Sequence, residues 1–175
     1  MVNNLRVGGE LMNIRKRICN LFAIIICMCV MFGGIYVSAA EPDYIWNGME
    51  SKLLEEAMES EDVWMNIARR GTYLQSGHAK ISNEGNRVVK ISGGTDAYQK
   101  CDRVVVTIYL DRYENGKWVE VTSVTSSSTN AYTANCSKNV TVTGGYYYRA
   151  RGYHTVYVGN TTESAASLSD GIYIS

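Results

Sequence analysis

The 175-residue chain carries 17 Lys+Arg and 17 Asp+Glu, a formal net charge of zero, with one proline and five cysteines. Such a balance demands neither nucleic acid nor a charged membrane surface as a partner. The length suits one modest domain with a real hydrophobic core once an N-terminal segment is set apart.

That segment declares itself first. Arg15-Lys16-Arg17 forms a compact positive cluster, and no charged side chain follows from Ile18 to Val37. Ser38-Ala39-Ala40 then supplies small residues ahead of Glu41-Pro42-Asp43. A basic stretch, an apolar run and a small-residue site are the three parts of a secretory signal, so residues 1–40 are expected to be a signal peptide cleaved near Ala39 or Ala40. A permanent anchor of about 20 apolar residues is the competing reading; Gly33-Gly34 and the acidic flank speak against it. Met12 opens a signal of standard shape, and Gly8-Gly9-Glu10 reads as a translated purine-rich ribosome-binding site. The expected start is therefore Met12 and the expected source a bacterium. The protein is then secreted, and it meets a membrane only through the transient signal.

Cleavage changes the composition. Cys19, Cys27, Cys29, Phe22 and Phe32 leave, and three Trp and twelve Tyr remain as the aromatic set. Cys101 and Cys136 are the remaining thiols; in an exported chain they can form one disulfide, with free thiols as the alternative where the source exports few disulfides. The charge left behind is −3, from thirteen basic and sixteen acidic residues.

Residues 41–70 form an acidic segment with a helical pattern. Met49, Leu53, Ala57 and then Trp64, Ala68 recur at helical spacing, with Glu50, Glu55, Glu56 and Glu59 on the polar side. Asn47 with Glu50 reads as a capping box and Gly71 as a stop; whether Ser60 caps a second helix stays open. Its apolar stripe is expected to pack on the domain that follows. Arg69-Arg70 offers a dibasic site at which the segment would be released as a prosegment.

From Gly71 onward Val, Ile, Thr, Ser and Tyr dominate, and glycines punctuate at intervals. Strands are expected at Thr72–Ser82, Arg87–Ser92, Arg103–Tyr113, Lys117–Ser126, Tyr132–Val142, Tyr146–Val158 and Gly171–Ser175. Residues 71–175 are thus expected to be a mainly β domain, an immunoglobulin/fibronectin-III-like antiparallel β-sandwich preceded by the short amphipathic helix. Asn115-Gly116 is the favoured two-residue hairpin turn, pairing Glu114 with Lys117 and Tyr113 with Trp118. Continuing that register sets Leu110 opposite Val121 and Tyr109 opposite Thr122. Val104, Val106, Ile108, Leu110, Val119 and Val121 then share the core face. Tyr148, three residues beyond Gly145, is placed for a tyrosine corner, its hydroxyl bonding back to the turn.

The opposite face collects Tyr109, Tyr113, Trp118, Arg149, Arg151 and Tyr153, amphipathic and cationic groups suited to an extracellular protein or a carbohydrate. Tyrosine is also a good strand residue in its own right. No catalytic constellation stands out. His78 and His154 are the only histidines, and both read as surface or strand-packing residues. No close ligand spacing points to a metal, no calcium loop occurs, and no glycine loop cradles phosphate or another cofactor. The expected function is a secreted, non-enzymatic binding module. The alternatives are a small hydrolase working with carboxylates, or an effector or bacteriocin-like protein with residues 41–70 as prosegment.

Four stretches together, Arg70-Gly-Thr-Tyr-Leu-Gln-Ser-Gly, Gly94-Thr-Asp-Ala-Tyr-Gln-Lys-Cys-Asp-Arg-Val, Arg112-Tyr-Glu-Asn-Gly-Lys-Trp118 and Gly145-Tyr-Tyr-Tyr-Arg-Ala-Arg-Gly-Tyr-His154, resemble an uncharacterised family of small exported proteins from Gram-positive, clostridia-like bacteria, the domain-of-unknown-function family numbered 6147. The resemblance implies export and a bacterial source; it implies no activity and no ligand.

Overall fold

Eight strands follow one another in the computed structural model: β1 (Leu53–Leu54), β2 (Glu59–Met65), β3 (Leu74–Gly85), β4 (Val88–Glu114), β5 (Lys117–Thr141), β6 (Tyr146–Val158), β7 (Thr161–Leu168) and β8 (Gly171–Ile174). The residues described are 46, 48–65 and 71–175. The expected signal peptide, the start at Met12, the cap at Asn47 and the dibasic Arg69-Arg70 fall outside them. The described residues belong to one unit, 42–175.

The chain is mainly β, in a single curled mixed sheet ordered β1-β8-β6-β4-β3-β2, with β5 on β4 and β7 on β6. β4 and β5 are 27 and 25 residues long, far beyond the usual five or six, because each runs through both halves of the curl. The first half of β4 pairs with β3, the second half pairs with β6, and β5 follows β4 along its whole length. The bend lies where residues between Asp96 and Cys101 break the register, opposite Tyr132 and two residues from Asn130 at φ +52°. Folding there brings distant parts of one strand together: Thr95 Oγ1 donates to Val105 O at 2.9 Å, and Lys138 Nζ donates to Thr122 Oγ1 at 2.8 Å.

Between the halves lies the core. Period-two alternation turns Val89, Ile91, Val104, Val106, Ile108 and Leu110 of β4 inward, onto Ala79 and Ile81 of β3, Tyr148, Ala150 and Val156 of β6, and Ile172 and Ile174 of β8. Tyr148 Oη donates to Thr143 O at 2.7 Å, closing the tyrosine corner. Asn115 and Gly116 both have positive φ and pair Glu114 with Lys117 and Tyr113 with Trp118.

Three expectations are corrected. No helix spans the described part of 47–70. Glu59, Glu61 and Val63 are exposed while Ser60, Asp62 and Trp64 are half-buried, a strand period on the β3 edge. Asp62 Oδ2 accepts from Leu168 N at 2.7 Å and Ser60 Oγ from Asp170 N at 2.9 Å, so the inward polar side chains satisfy edge amides. Second, a register shift between Leu110 and Asp111 sets Leu110 opposite Thr122 and Tyr109 opposite Ser123. Val121 is the extra residue of that bulge. Val121 is therefore out of the core and exposed, and Val124 packs inward; Val119 keeps its turn-set partner Arg112 and is exposed near the end of the hairpin.

Third, Cys101 and Cys136 are free thiols. Cys101 pairs with Ala131, five residues before Cys136 on the same strand. Cys101 Sγ donates to Gln99 O at 3.3 Å and Cys136 Sγ to Val124 O at 3.7 Å, so each thiol keeps a separate partner. The two strands Arg87–Ser92 and Arg103–Tyr113 are one strand, as are Lys117–Ser126 and Tyr132–Val142, and β7 adds a strand where none was expected.

Candidate functional site

The outer face of the β5-β4-β6 half gathers all six residues singled out in the sequence. Alternation places Tyr109, Asp111 and Tyr113 of β4 beside Arg151, Arg149 and Tyr147 of β6 in direct register. Across β4, Glu120 and Trp118 of β5 stand opposite Asp111 and Tyr113. Asp111 is 2% exposed and accepts from Arg149 Nε and Arg151 Nε, both at 3.1 Å. Glu120 takes Arg151 Nη2 at 3.2 Å, so two arginines meet two carboxylates. Burial pushes the Arg149 guanidinium down, against the support of Asp111.

Each guanidinium also lies on a ring. Arg149 sits 4.3 Å from the Trp118 ring, and Arg151 lies between Trp46 at 4.4 Å and Tyr109 at 4.5 Å. Such contacts add about 0.5–2 kcal/mol each as water is excluded. Tyr113 packs on Trp118 at 5.1 Å. Tyr153 reaches the same cluster through Trp46, 6.0 Å between centroids.

This face is not open. Trp46, 8% exposed, covers its centre with Met49, Ala166 and Leu168, forming a second small core. The segment behind Trp46 is fastened too. Lys52 N donates to Asp170 Oδ1 at 2.7 Å, Gly171 N to Lys52 O at 2.8 Å and Arg149 Nη1 to Ser51 Oγ at 3.1 Å. β1 then adds a parallel pair to β8. What stays accessible is the far end. Trp118, Tyr113, Tyr147 and Tyr173 are successive register partners across β5, β4, β6 and β8. Tyr147 and Tyr173 lie 5.2 Å apart, and Tyr173 and Leu53 are 37% and 42% exposed. The sequence reading missed Tyr147, Tyr173 and Trp46. The Tyr146-Tyr147-Tyr148 run was the available signal, since alternation must send its middle ring outward when Tyr148 turns in.

His154 is the other chemistry-bearing residue, and it is sealed. Its Nδ1 lies 2.9 Å from Thr95 Oγ1 and its Nε2 lies 2.8 Å from Ser167 Oγ, at 0% exposure. Thr95 spends its only hydroxyl proton on Val105 O, so Nδ1 carries the ring proton and Nε2 accepts from Ser167. Burial pushes the imidazole down to about 3. A neutral histidine and a serine in hydrogen-bond reach form two members of a nucleophilic triad, but both are wholly buried here, where no reactant reaches them. Gly77 and Gly152 make the room: a Cβ at either would overlap the His154 ring or Ser167 Oγ. Burial likewise pushes the Cys136 thiol up to about 11, far from an activated thiolate. Among the described residues no group of three or more His, Cys, Asp or Glu is arranged to hold a metal.

Fold and face together define a mainly β domain whose buried Asp111 is paired with two arginines and whose outer face is an arginine–aromatic ladder. The chain belongs to the family of unknown function DUF6147, whose model matches residues 42–171. No curated protein and no solved structure matches the chain.

Proposed function

We propose that this protein is an exported, non-enzymatic binding module, acting outside the cell or at its surface on a protein or carbohydrate. The observation that carries the reading is the in-register row Trp118–Tyr113–Tyr147–Tyr173, closed at one end by Arg149 and open at Tyr173 and Leu53. Aromatic side chains give a large rigid contact area at low entropic cost, and this row is preorganised by its strands. The tyrosine corner at Tyr148 supports an immunoglobulin/fibronectin-III-like sandwich as the finer fold class. The pairing of Asp111 with two arginines disfavours the carboxylate hydrolase. The pairing of β2 with β3 favours keeping residues 41–70 with the domain over release as a prosegment.

The test is binding of the labelled full chain to a glycan array and to intact bacterial cells. Tyr147→Ala and Tyr173→Ala are expected to weaken binding by about tenfold, the loss of a well-placed aromatic contact. Tyr153→Ala, beneath Trp46, is the control for a purely structural effect. Binding by both row variants as strong as that of the unmodified protein would reject the proposed surface.

A further inference from the structure

The other half of the sheet, β2-β3-β4-β5, presents a different outer face. Val63, His78, Gly94 and Asn135 are successive register partners across its four strands. Two residues along, Lys80, Ser92 and Ser137 form the next row of the same face. Between the rows lies an open depression of about 370 Å³ lined by His78, Ser92, Gly93, Asn135, Cys136 and Ser137. That volume lies within the size range of small-ligand sites.

Glycine inside a strand costs stability, so Gly94, deep in the first half of β4, needs a reason. Gly93 has one in the core, where a Cβ would overlap Ile108. Gly94 faces outward, where a Cβ would overlap Asn135 Oδ1 and stand 2.7 Å from His78 Cε1. Two polar side chains from different strands therefore converge over a bare stretch of backbone. Asn135 Nδ2 is tied to Thr133 Oγ1 at 3.3 Å. Neither Asn135 Oδ1 nor the His78 ring has a hydrogen-bond partner among the described residues.

We infer that this depression is a binding site for a neutral saccharide. Its lining offers an imidazole that donates and accepts, an amide oxygen that accepts, and two hydroxyls that do both. No carboxylate, lysine or arginine lines it; on the rows to either side Lys80 is engaged by Glu59 at 2.8 Å and Asp96 accepts from Ser76 Oγ at 3.2 Å. Neutral groups of mixed polarity suit a ligand that presents many hydroxyls and no charge. Val63, 52% exposed at the end of the row, supplies an apolar contact for the C–H face of a pyranose. Catalysis on the ligand is not implied, because the one thiol nearby is held protonated by burial.

The experiment is a titration of the full chain with glucose, galactose, N-acetylglucosamine and their β-linked disaccharides, read by isothermal calorimetry. His78→Ala and Asn135→Ala are each expected to weaken the bound saccharide by about tenfold, one hydrogen bond's worth. Gly94→Ala is expected to abolish binding by driving the two side chains apart. Circular dichroism and unchanged melting of His78→Ala and Asn135→Ala separate lost binding from lost folding. Val121→Ala, exposed and outside both the depression and the aromatic row, should leave this affinity unchanged. No saccharide binding at millimolar concentration, or binding that survives all three pocket substitutions, overturns the inference.

Discussion

Ser167 Oγ lies 2.8 Å from His154 Nε2, and both residues are wholly buried between the two halves of the curled sheet. The imidazole is neutral there, held at about 3 against an ordinary value of 6.5. The unfolded chain takes up a proton at this residue below about pH 6.5, and the folded chain does not until about pH 3. Stability from this group is thus complete above pH 6.5 and falls with acid by about 1.4 kcal/mol per pH unit down to about pH 3. Urea melts at pH 7, 6, 5 and 4 should show that slope. His154→Gln is expected to cost about 2 kcal/mol at pH 7 through broken buried hydrogen bonds, and to flatten the slope. A wild-type slope no steeper than that of the variant would rule out a buried neutral imidazole.

Glu163 works through a different contact in a neighbouring pH range. Burial alone would raise its carboxyl, but the amides of Leu74, Thr72 and Tyr73 outweigh that and hold it below the usual value. The three N–H groups lie 2.7–2.9 Å from its oxygens and fix the entry to β3. A depressed carboxylate contributes stability above its unfolded value and loses it as pH falls through the folded one. Glu163→Gln is expected to destabilise by about 1–2 kcal/mol at pH 7. The gap to the unmodified protein should shrink toward pH 3. A gap that stays constant over that range would show that charge plays no part.

How far the sequence disclosed this structure depends on the range of the interaction. Asn115-Gly116 and Tyr148 were legible because turn and corner are decided within a few residues. The outward ladder of Tyr109, Tyr113, Arg149 and Arg151 followed from alternation alone. The stretch from Glu59 to Met65 was misread, because Met49, Leu53, Ala57, Trp64 also fit a helical repeat. What decides it is Asp62 meeting Leu168 and Ser60 meeting Asp170, contacts more than a hundred residues apart. The bulge at Val121 left no local mark, so one inserted residue moved Val121 out of the expected core and set Thr122 opposite Leu110. The Thr95–His154–Ser167 chain could have been sought at Gly77 and Gly152, since a glycine inside a strand signals close approach.

The thiol states follow from burial and from each thiol's own partner. Cys101 is 1% exposed and Cys136 is pushed up to about 11, so neither is expected to react with a thiol reagent in the native protein. After denaturation without reductant, the peptides carrying Cys101 and Cys136 should both take up iodoacetamide. Recovery of one linked peptide containing both residues would refute the free-thiol state.

Tyr148→Phe tests the corner. The substitution keeps the ring in the core and removes the 2.7 Å bond to Thr143 O together with the hydroxyl's contact with the Arg112 side chain. Because Thr143 itself is exposed and its carbonyl can turn to water, the expected loss is about 1 kcal/mol rather than the full penalty of an orphaned buried group. Thermal melting reads it directly, and an unchanged midpoint would mean the corner contributes nothing to stability.

Trp46 joins the segment before β1 to the ladder, and its substitution asks whether that segment belongs to the fold. The ring is 8% exposed and touches Tyr109, Tyr153 and Arg151. Removing a buried tryptophan costs about 3–5 kcal/mol in a rigid core. Trp46 caps an outer face that water can refill, so about 2–3 kcal/mol is expected for Trp46→Ala. Arg151 would keep Asp111, Glu120 and Tyr109, which limits the damage to the covering segment. Hydrogen exchange should then speed up at Lys52 and Gly171, whose amides hold that segment in place. Exchange in the core of β4 should change only as far as global stability does. If Trp46→Ala instead leaves both stability and the Lys52 and Gly171 amides untouched, the segment merely rests on the face, and the ladder beneath it is free to receive a partner.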